Sequence, residues 1–212
     1  YPNETGMLHS LEKFQVDWNK PIVIYDRENH IWAARLFWIF KAFGHQQVQV
    51  LHGGLKAWQQ QNLSVSHQIE QPSSSLNVAE LKFDSTYFAN IEDVKKVVEG
   101  RVNSQLLNVL RPEVFRGDEV RYSRAGHIPN SINIPFAEFL DETGKFKASI
   151  FNFVAQFGLD LNREIMIYCG SGITASGAAL ALRQAQVTSI KIYDGSMSEW
   201  SADPDLPLQI MV

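Results

Sequence analysis

Cysteine is almost absent from this chain: Cys169 is the one thiol in 212 residues. No internal disulfide can form, which fits a reducing compartment and a cytoplasmic location. One Cys cannot build a structural zinc centre, and His30, His45, His52 and His67 show no ligand spacing, so no metal site is expected. Basic charge is scarce as well. The 19 Lys and Arg against 23 Asp and Glu leave a formal net charge of −4, which argues against nucleic acid or a membrane surface as partner. No apolar run approaches the roughly 20 residues that span a bilayer. There is neither an initiator Met nor a signal peptide; the chain opens at Tyr1-Pro2-Asn3, as a trimmed product would. What remains, 45% hydrophobic and 20% charged, is the composition of a globular protein with a sizeable core.

The lone cysteine stands where a nucleophile would be built. Cys169 follows the apolar run Ile165-Met166-Ile167-Tyr168 and opens the string C-G-S-G-I-T-A, after which a small-residue stretch, Ala175 to Ala185, reads as a helix. A strand, a glycine-rich turn and a helix N-terminus surround position 169 with backbone N–H groups and favour the thiolate. The competing reading is an inert buried thiol, since free cysteine is among the most buried residue types.

Two segments echo each other. P-I-V-I-Y-D, a helical stretch and V-Q-V-L-H-G-G-L-K-A-W form the first; E-I-M-I-Y-C, a helical stretch and I-K-I-Y-D-G-S-M-S-E-W form the second. Trp58 lies 32 positions after Asp26, and Trp200 lies 31 after Cys169. Each copy reads as strand–helix–strand, which implies a right-handed crossover and parallel pairing. Ile22-Val23-Ile24, with no polar alternation, reads as a strand buried on both faces. The helix over Ile31–Phe43 repeats apolar residues at helical spacing, which assigns Trp32, Phe37, Trp38 and Phe40 to packing. Trp58 and Trp200 read as matched core anchors. The polar stretch from His67, with Pro72-Ser73-Ser74-Ser75, marks a linker over 67–80. The expected organisation is therefore two tandem α/β units with mostly parallel sheets flanked by helices: residues 1–66, and residues 81–212 carrying Cys169. Two strands leave the first unit with unpaired edges, so its remaining strands are expected from upstream residues or from another chain.

Five features coincide: the C-G-S-G-I-T loop, G-H-I-P-N-S-I-N-I-P-F over 126–136, F-R-G over 115–117, Y-D-G-S-M-S-E-W near the C-terminus, and the tandem repeat. Together they make the chain resemble the two-domain rhodanese-type sulfurtransferases, and its loop is most similar to the mercaptopyruvate branch, C-G-[ST]-G-V-T. The resemblance implies a sulfurtransferase that takes a sulfane sulfur from a small-molecule donor, 3-mercaptopyruvate before thiosulfate, onto Cys169 as a persulfide. A small thiol, cyanide or a thioredoxin-like protein would accept it, with no cofactor. In the loop Gly170 to Thr174, the N–H groups of Gly170, Gly172, Ile173 and Thr174 would stabilise the sulfur anion, while the Ser171 hydroxyl would bond the donor carbonyl or the departing enolate, or only satisfy the turn. Thr174 reads equally as the N-cap of the helix. Asp26 occupies the cysteine position of the first copy, which is expected to be catalytically silent.

The chain departs from that pattern where the family grips its substrate. Of two carboxylate-binding arginines, one is replaced by Val114; the other matches Arg121, with Arg124 competing and Arg116 and Arg111 near enough to substitute. The His that precedes Met-Leu-Pro is Gly6 here, and His9 does not inherit its role. An Asp and an Arg of the strand opening the second unit are Asn108 and Leu110. His127, in G-H-I-P, reads as a structural hydrogen-bonder. Three rivals stand beside this reading. Gly170 to Ala175 imitates a dinucleotide fingerprint, with Asp194 about 20 residues on, but only 18 residues follow Asp194. A Cys-dependent phosphatase would need an arginine at Ala175. A non-catalytic rhodanese-like binding or scaffold module fits Gly6 and Val114 but not the intact loop.

Overall fold

The computed structural model describes residues 1–27, 29–68 and 81–211, so most of the expected linker lies outside the described residues. The chain begins with α1 (Glu4–Lys13), β1 (Ile22–Ile24), α2 (Ile31–Ala42), β2 (Val48–Val50) and α3 (Gly54–Gln60). It continues through β3 (Phe88–Ala89), α4 (Ile91–Val98), β4 (Gln105–Asn108), α5 (Pro112–Arg116) and β5 (Ser131–Asn133). It closes with α6 (Ile150–Ala155), β6 (Ile165–Tyr168), α7 (Ile173–Gln184), β7 (Ile190–Tyr193) and α8 (Ser196–Trp200). Side chains set several starts: Asn3 caps α1 through the Gly6 N–H at 2.8 Å, and Asn90 with Asp93 forms a capping box on α4.

Among the described residues all strand pairs are parallel. β1 pairs with β2, and a five-stranded sheet runs in the order β3-β7-β6-β4-β5. The two copies of the repeat take the same register, Ile22 opposite Val48 in one and Ile165 opposite Ile190 in the other. Every residue of β4 and β6 is buried, because their alternate side chains enter different apolar clusters. Leu107, Ile165 and Ile167 face one that also holds Trp38, Phe40 and Phe43 of the first copy. Leu106, Met166 and Tyr168 face another, with Val94, Tyr193 and Trp200. This is the physical content of an apolar run without alternation.

Two sequence expectations need correction. β1 is not buried on both faces: Val23 is 59% exposed and lines an open cleft with Leu55 and Trp58 of α3, and β2 is the one strand paired with β1 among the described residues. Nor are the two tryptophans equivalent in burial. Trp200 is fully buried while Trp58 is 38% exposed, although each indole N–H closes the following loop, on the carbonyls of Pro207 and Ser64 respectively.

The copies meet helix to helix, α2 packing on α7. The buried face of α7 is Ala175, Ser176, Gly177, Ala178, Ala179, Ala181 and Leu182, small enough for a close approach. A Cβ at Gly177 would lie 2.6 Å from the Phe136 ring and 3.2 Å from Ile31 of α2. No helix among the described residues is long and apolar enough to cross a membrane.

Gly177→Leu should therefore overpack this seam and cost about 1–3 kcal/mol; a urea midpoint equal to that of the parent protein would refute the contact. His30 and His127 are both buried, and burial pulls each imidazole below its ordinary value. The unfolded chain takes up protons near pH ~6.5 that the folded chain refuses, so stability is complete above that pH and falls as pH drops through it. Urea unfolding at pH 7.5 and pH 5.5, as chosen conditions about one unit either side of that value, should show the lower midpoint on the acid side; a flat profile would contradict it.

Candidate active site

The site forms where β6 hands over to α7. Cys169 leaves the strand, and Gly172, at φ +77°, is the residue from which α7 starts. A side chain at Gly172 would collide with Asp194, whose Oδ1 would lie 2.5 Å from its Cβ, so the left-handed turn and the close approach both require glycine. At Gly170 the same test puts a Cβ on the hydroxyl of Tyr122.

Three consecutive residues clamp this turn from below. The Ser196 hydroxyl accepts the N–H of Cys169 (3.1 Å) and of Gly172 (3.2 Å) and donates to the Tyr193 carbonyl (2.8 Å), which fills its hydrogen-bonding capacity. Met197 N–H donates to the Cys169 carbonyl at 3.1 Å, and Ser198 donates to the Gly170 carbonyl from both its N–H and its hydroxyl. One expectation falls here. The Gly172 N–H, assigned from sequence to the sulfur, is instead held by Ser196. The N–H groups of Gly170, Ser171, Ile173 and Thr174 find no acceptor among the described residues. With the α7 N-terminus behind them, they give the turn an unsatisfied positive potential beside Cys169.

Cys169 is 2% exposed and lies against a cavity of about 390 Å³. Gly170, Ser171, Ile173 and Thr174 line it; Thr174 is not the N-cap, because Gly172 is. Of the arginines, Arg121 reaches the cavity and forms no ion pair among the described residues. Arg116 does not reach it. The α5 helix points Arg116 outward, where it donates to Asp118 at 2.8 Å. Arg124 is held by the backbone carbonyls of Ser201, Trp200 and Asp203, and Arg111, though at the cavity, forks onto Glu119. Val114, the residue that precedes the F-R-G segment, is a buried apolar wall of the cavity. His127 is stacked on Phe115 with Nδ1 2.7 Å from the Phe115 carbonyl, and it does not line the cavity.

Three residues escaped the sequence reading. Trp32, expected to be packed away, is 61% exposed and forms a rim of the cavity from the start of α2. Tyr122 lines the cavity beside Arg121; burial, and then the negative charge of Cys169, hold its phenol above the ordinary value. Ser196 lay inside a quoted motif without a role. The repeat itself held the signal, because Ser196 aligns with Gly54, and a serine where its twin is a glycine marks a strained position. Both are left-handed, at φ 52° and 57°.

The first copy shows the same frame with a different occupant. Leu55 N–H donates to the Asp26 carbonyl at 2.9 Å, as Met197 does to Cys169. The Asp26 carboxylate then turns inward and accepts the N–H of His30 (3.1 Å) and Ala33 (3.2 Å) at the head of α2. Where the second copy has a thiol beside open amides, the first has amides filled by its own carboxylate.

The sequence pattern of the rhodanese-like domain matches residues 2–61 and 100–203. The chain is 36% identical to human 3-mercaptopyruvate sulfurtransferase over 84% of its own length and 62% of the relative's. It is 32% identical to 3-mercaptopyruvate sulfurtransferase of Escherichia coli K12, covering 94% of this chain and 72% of that one. Thiosulfate sulfurtransferase of Gallus gallus is 31% identical, with 94% and 70% covered. In fold it is similar to EanB solved with ergothioneine, at a TM-score of 0.89 and 20% identity over all of this chain and 56% of that one.

Ser196→Ala should leave two N–H groups and one carbonyl without their partner and destabilise the protein by about 1–3 kcal/mol. Ser196→Gly should recover part of that loss by relieving the left-handed strain. Equal urea midpoints for the parent and Ser196→Ala would remove Ser196 from this role.

Proposed function

Since the chain belongs to the rhodanese-like family, we propose that it is a sulfurtransferase that carries a sulfane sulfur on Cys169. The observation behind this reading is the pairing of one buried thiol with unsatisfied amides at the floor of a cavity. In the first half-reaction the Cys169 thiolate attacks the donor's sulfur. The bond from that sulfur to the rest of the donor breaks, and its electron pair leaves with the donor remnant. In the second half, an acceptor thiolate or cyanide attacks the outer sulfur, and the Cys169 thiolate departs. Both half-reactions keep a negative charge on sulfur, beside the free N–H groups of Gly170, Ser171, Ile173 and Thr174.

Relatives of both donor classes are similar to the chain, so the donor is argued from the cavity. Its loop side chains are neutral, and among the described residues Arg121 is its one cation without an ion pair. That charge suits a monocarboxylate such as 3-mercaptopyruvate better than the dianion thiosulfate, with Val114 against the carbon skeleton. The acceptor is a small thiol, cyanide or a thioredoxin-like protein. Residues 81–212 form the catalytic unit and residues 1–66 the silent one, with Asp26 in the place of the sulfur carrier.

The test is a single turnover read by mass spectrometry. After incubation with 3-mercaptopyruvate or thiosulfate and removal of the donor, the peptide holding Cys169 should gain the mass of one sulfur atom. Dithiothreitol or cyanide should remove it, and Cys169→Ser should never acquire it. Folded protein that gains no sulfur from either donor would overturn the proposal in favour of a binding module.

A further inference from the structure

The cavity around Cys169 has a gap in its chemistry. A donor that releases a carbon leaving group needs a proton for that carbon, yet no His, Asp, Glu or Lys lines the cavity. A guanidinium is not an acid at any ordinary pH, and an aliphatic hydroxyl such as that of serine or threonine is a far weaker one than a phenol. His9 is exposed on α1 and is not part of the cavity. One acidic O–H remains, that of Tyr122.

Its placement is specific. The Tyr122 hydroxyl rests against the Cα of Gly170, the residue after the nucleophile, so closely that no side chain fits between them. The ring is half-buried against the cluster of Tyr168 and Tyr193, which fixes its direction. Its hydroxyl makes no hydrogen bond among the described residues, although it faces the polar turn. Resting on the reading of the chain as a sulfurtransferase, we propose that Tyr122 is a catalytic residue that protonates the carbon leaving group of a mercapto-acid donor.

The step balances without any outside reagent. The Cys169 thiolate takes the sulfur of 3-mercaptopyruvate, the carbon–sulfur bond breaks, and its electron pair leaves as the pyruvate enolate. Tyr122 gives its proton to the enolate carbon. The resulting phenolate removes the proton still on the outer sulfur. Cys169 is left as the persulfide anion, Tyr122 as the neutral phenol, and pyruvate departs. Burial and the Cys169 charge keep the phenol protonated before the step, and the amides of the turn receive the persulfide anion after it. Sulfite, which leaves from thiosulfate as a stable anion, needs no such proton.

This asymmetry supplies the test. Single-turnover loading of wild type and Tyr122→Phe would be followed by intact mass with each donor, and the loaded persulfide would then be discharged to cyanide. Tyr122→Phe should slow loading from 3-mercaptopyruvate by about 10²-fold, the lower range for a positioned acid. Loading from thiosulfate and discharge to cyanide should proceed at the wild-type rate. Unchanged loading from 3-mercaptopyruvate would overturn the assignment. So would equal slowing of loading and discharge, the mark of a merely structural tyrosine. A wild-type protein that loads only from thiosulfate overturns the Tyr122 role while leaving sulfur transfer standing. One that loads from neither donor overturns both.

Discussion

The structure depends on how the backbone of one turn is paid for. Between β6 and α7 the chain must reverse direction within a few residues, and the amides at the start of α7 have no helical partners. A buried turn of this kind collapses unless some of its polar groups are fixed from outside. Residues 196–198 do this from the head of α8. Ser196 takes two N–H groups, Met197 and Ser198 take two carbonyls, and the remaining amides stay open toward Cys169. The division decides the chemistry. Amides bound by Ser196 hold the shape, while those left free supply the potential that an anionic sulfur needs. Ser196 accepts a left-handed backbone for this, a strain of about 1–2 kcal/mol for a residue with a Cβ, offset by three hydrogen bonds.

The duplicated frame isolates what distinguishes a binding site from a structural element. In both copies a strand ends, the carbonyl of Asp26 or Cys169 just beyond it is held by an N–H two helices later, and a helix starts from a left-handed residue, His30 or Gly172. The loop of the first copy is one residue longer. That length lets the Asp26 side chain fold back to the amides of His30 and Ala33, an internal anion at the head of α2. A ligand anion would have to displace a covalently attached carboxylate, so the first copy is closed by its own composition. Cys169 has no such reach, and its amides remain available.

Much of this was legible in the chain. The 3.6-residue and buried-strand patterns located α2, α7, β1 and β6, and the spacing from Asp26 to Trp58 and from Cys169 to Trp200 exposed the repeat. The turn around Cys169 followed from one residue and its glycines. What could not be read was anything decided by packing between distant segments. Trp32 sits on the apolar face of a helix by sequence, yet the cavity lies beside the head of that helix and leaves the indole exposed. Arg116 stood in the sequence as a substitute for the better-matched Arg121, and the short α5 turns it outward toward Asp118. Tyr122 carried no motif at all; only the contact with Gly170 gives it meaning. Gly172 shows a subtler failure, since its residue type was read correctly for the turn while its N–H was assigned to the wrong acceptor.

The seam between the copies then explains why a closed first copy still shapes the site. Ile31 and Trp32 stand at the start of α2, and α2 is held there by the small face of α7, whose own first turn carries the open amides. The helix that presents the positive potential is thus also the helix that seats the cavity's apolar rim. Any shift of α2 along α7 would move Ile31 and Trp32 relative to Cys169 without altering the turn beneath it. Gly177 sets that spacing, because both Phe136 of the cavity wall and Ile31 of the rim close on its Cα. Helix packing at the seam and the dimensions of the cavity are consequently one constraint. The first copy acts on the site through position, as a wall with no charge of its own at the rim.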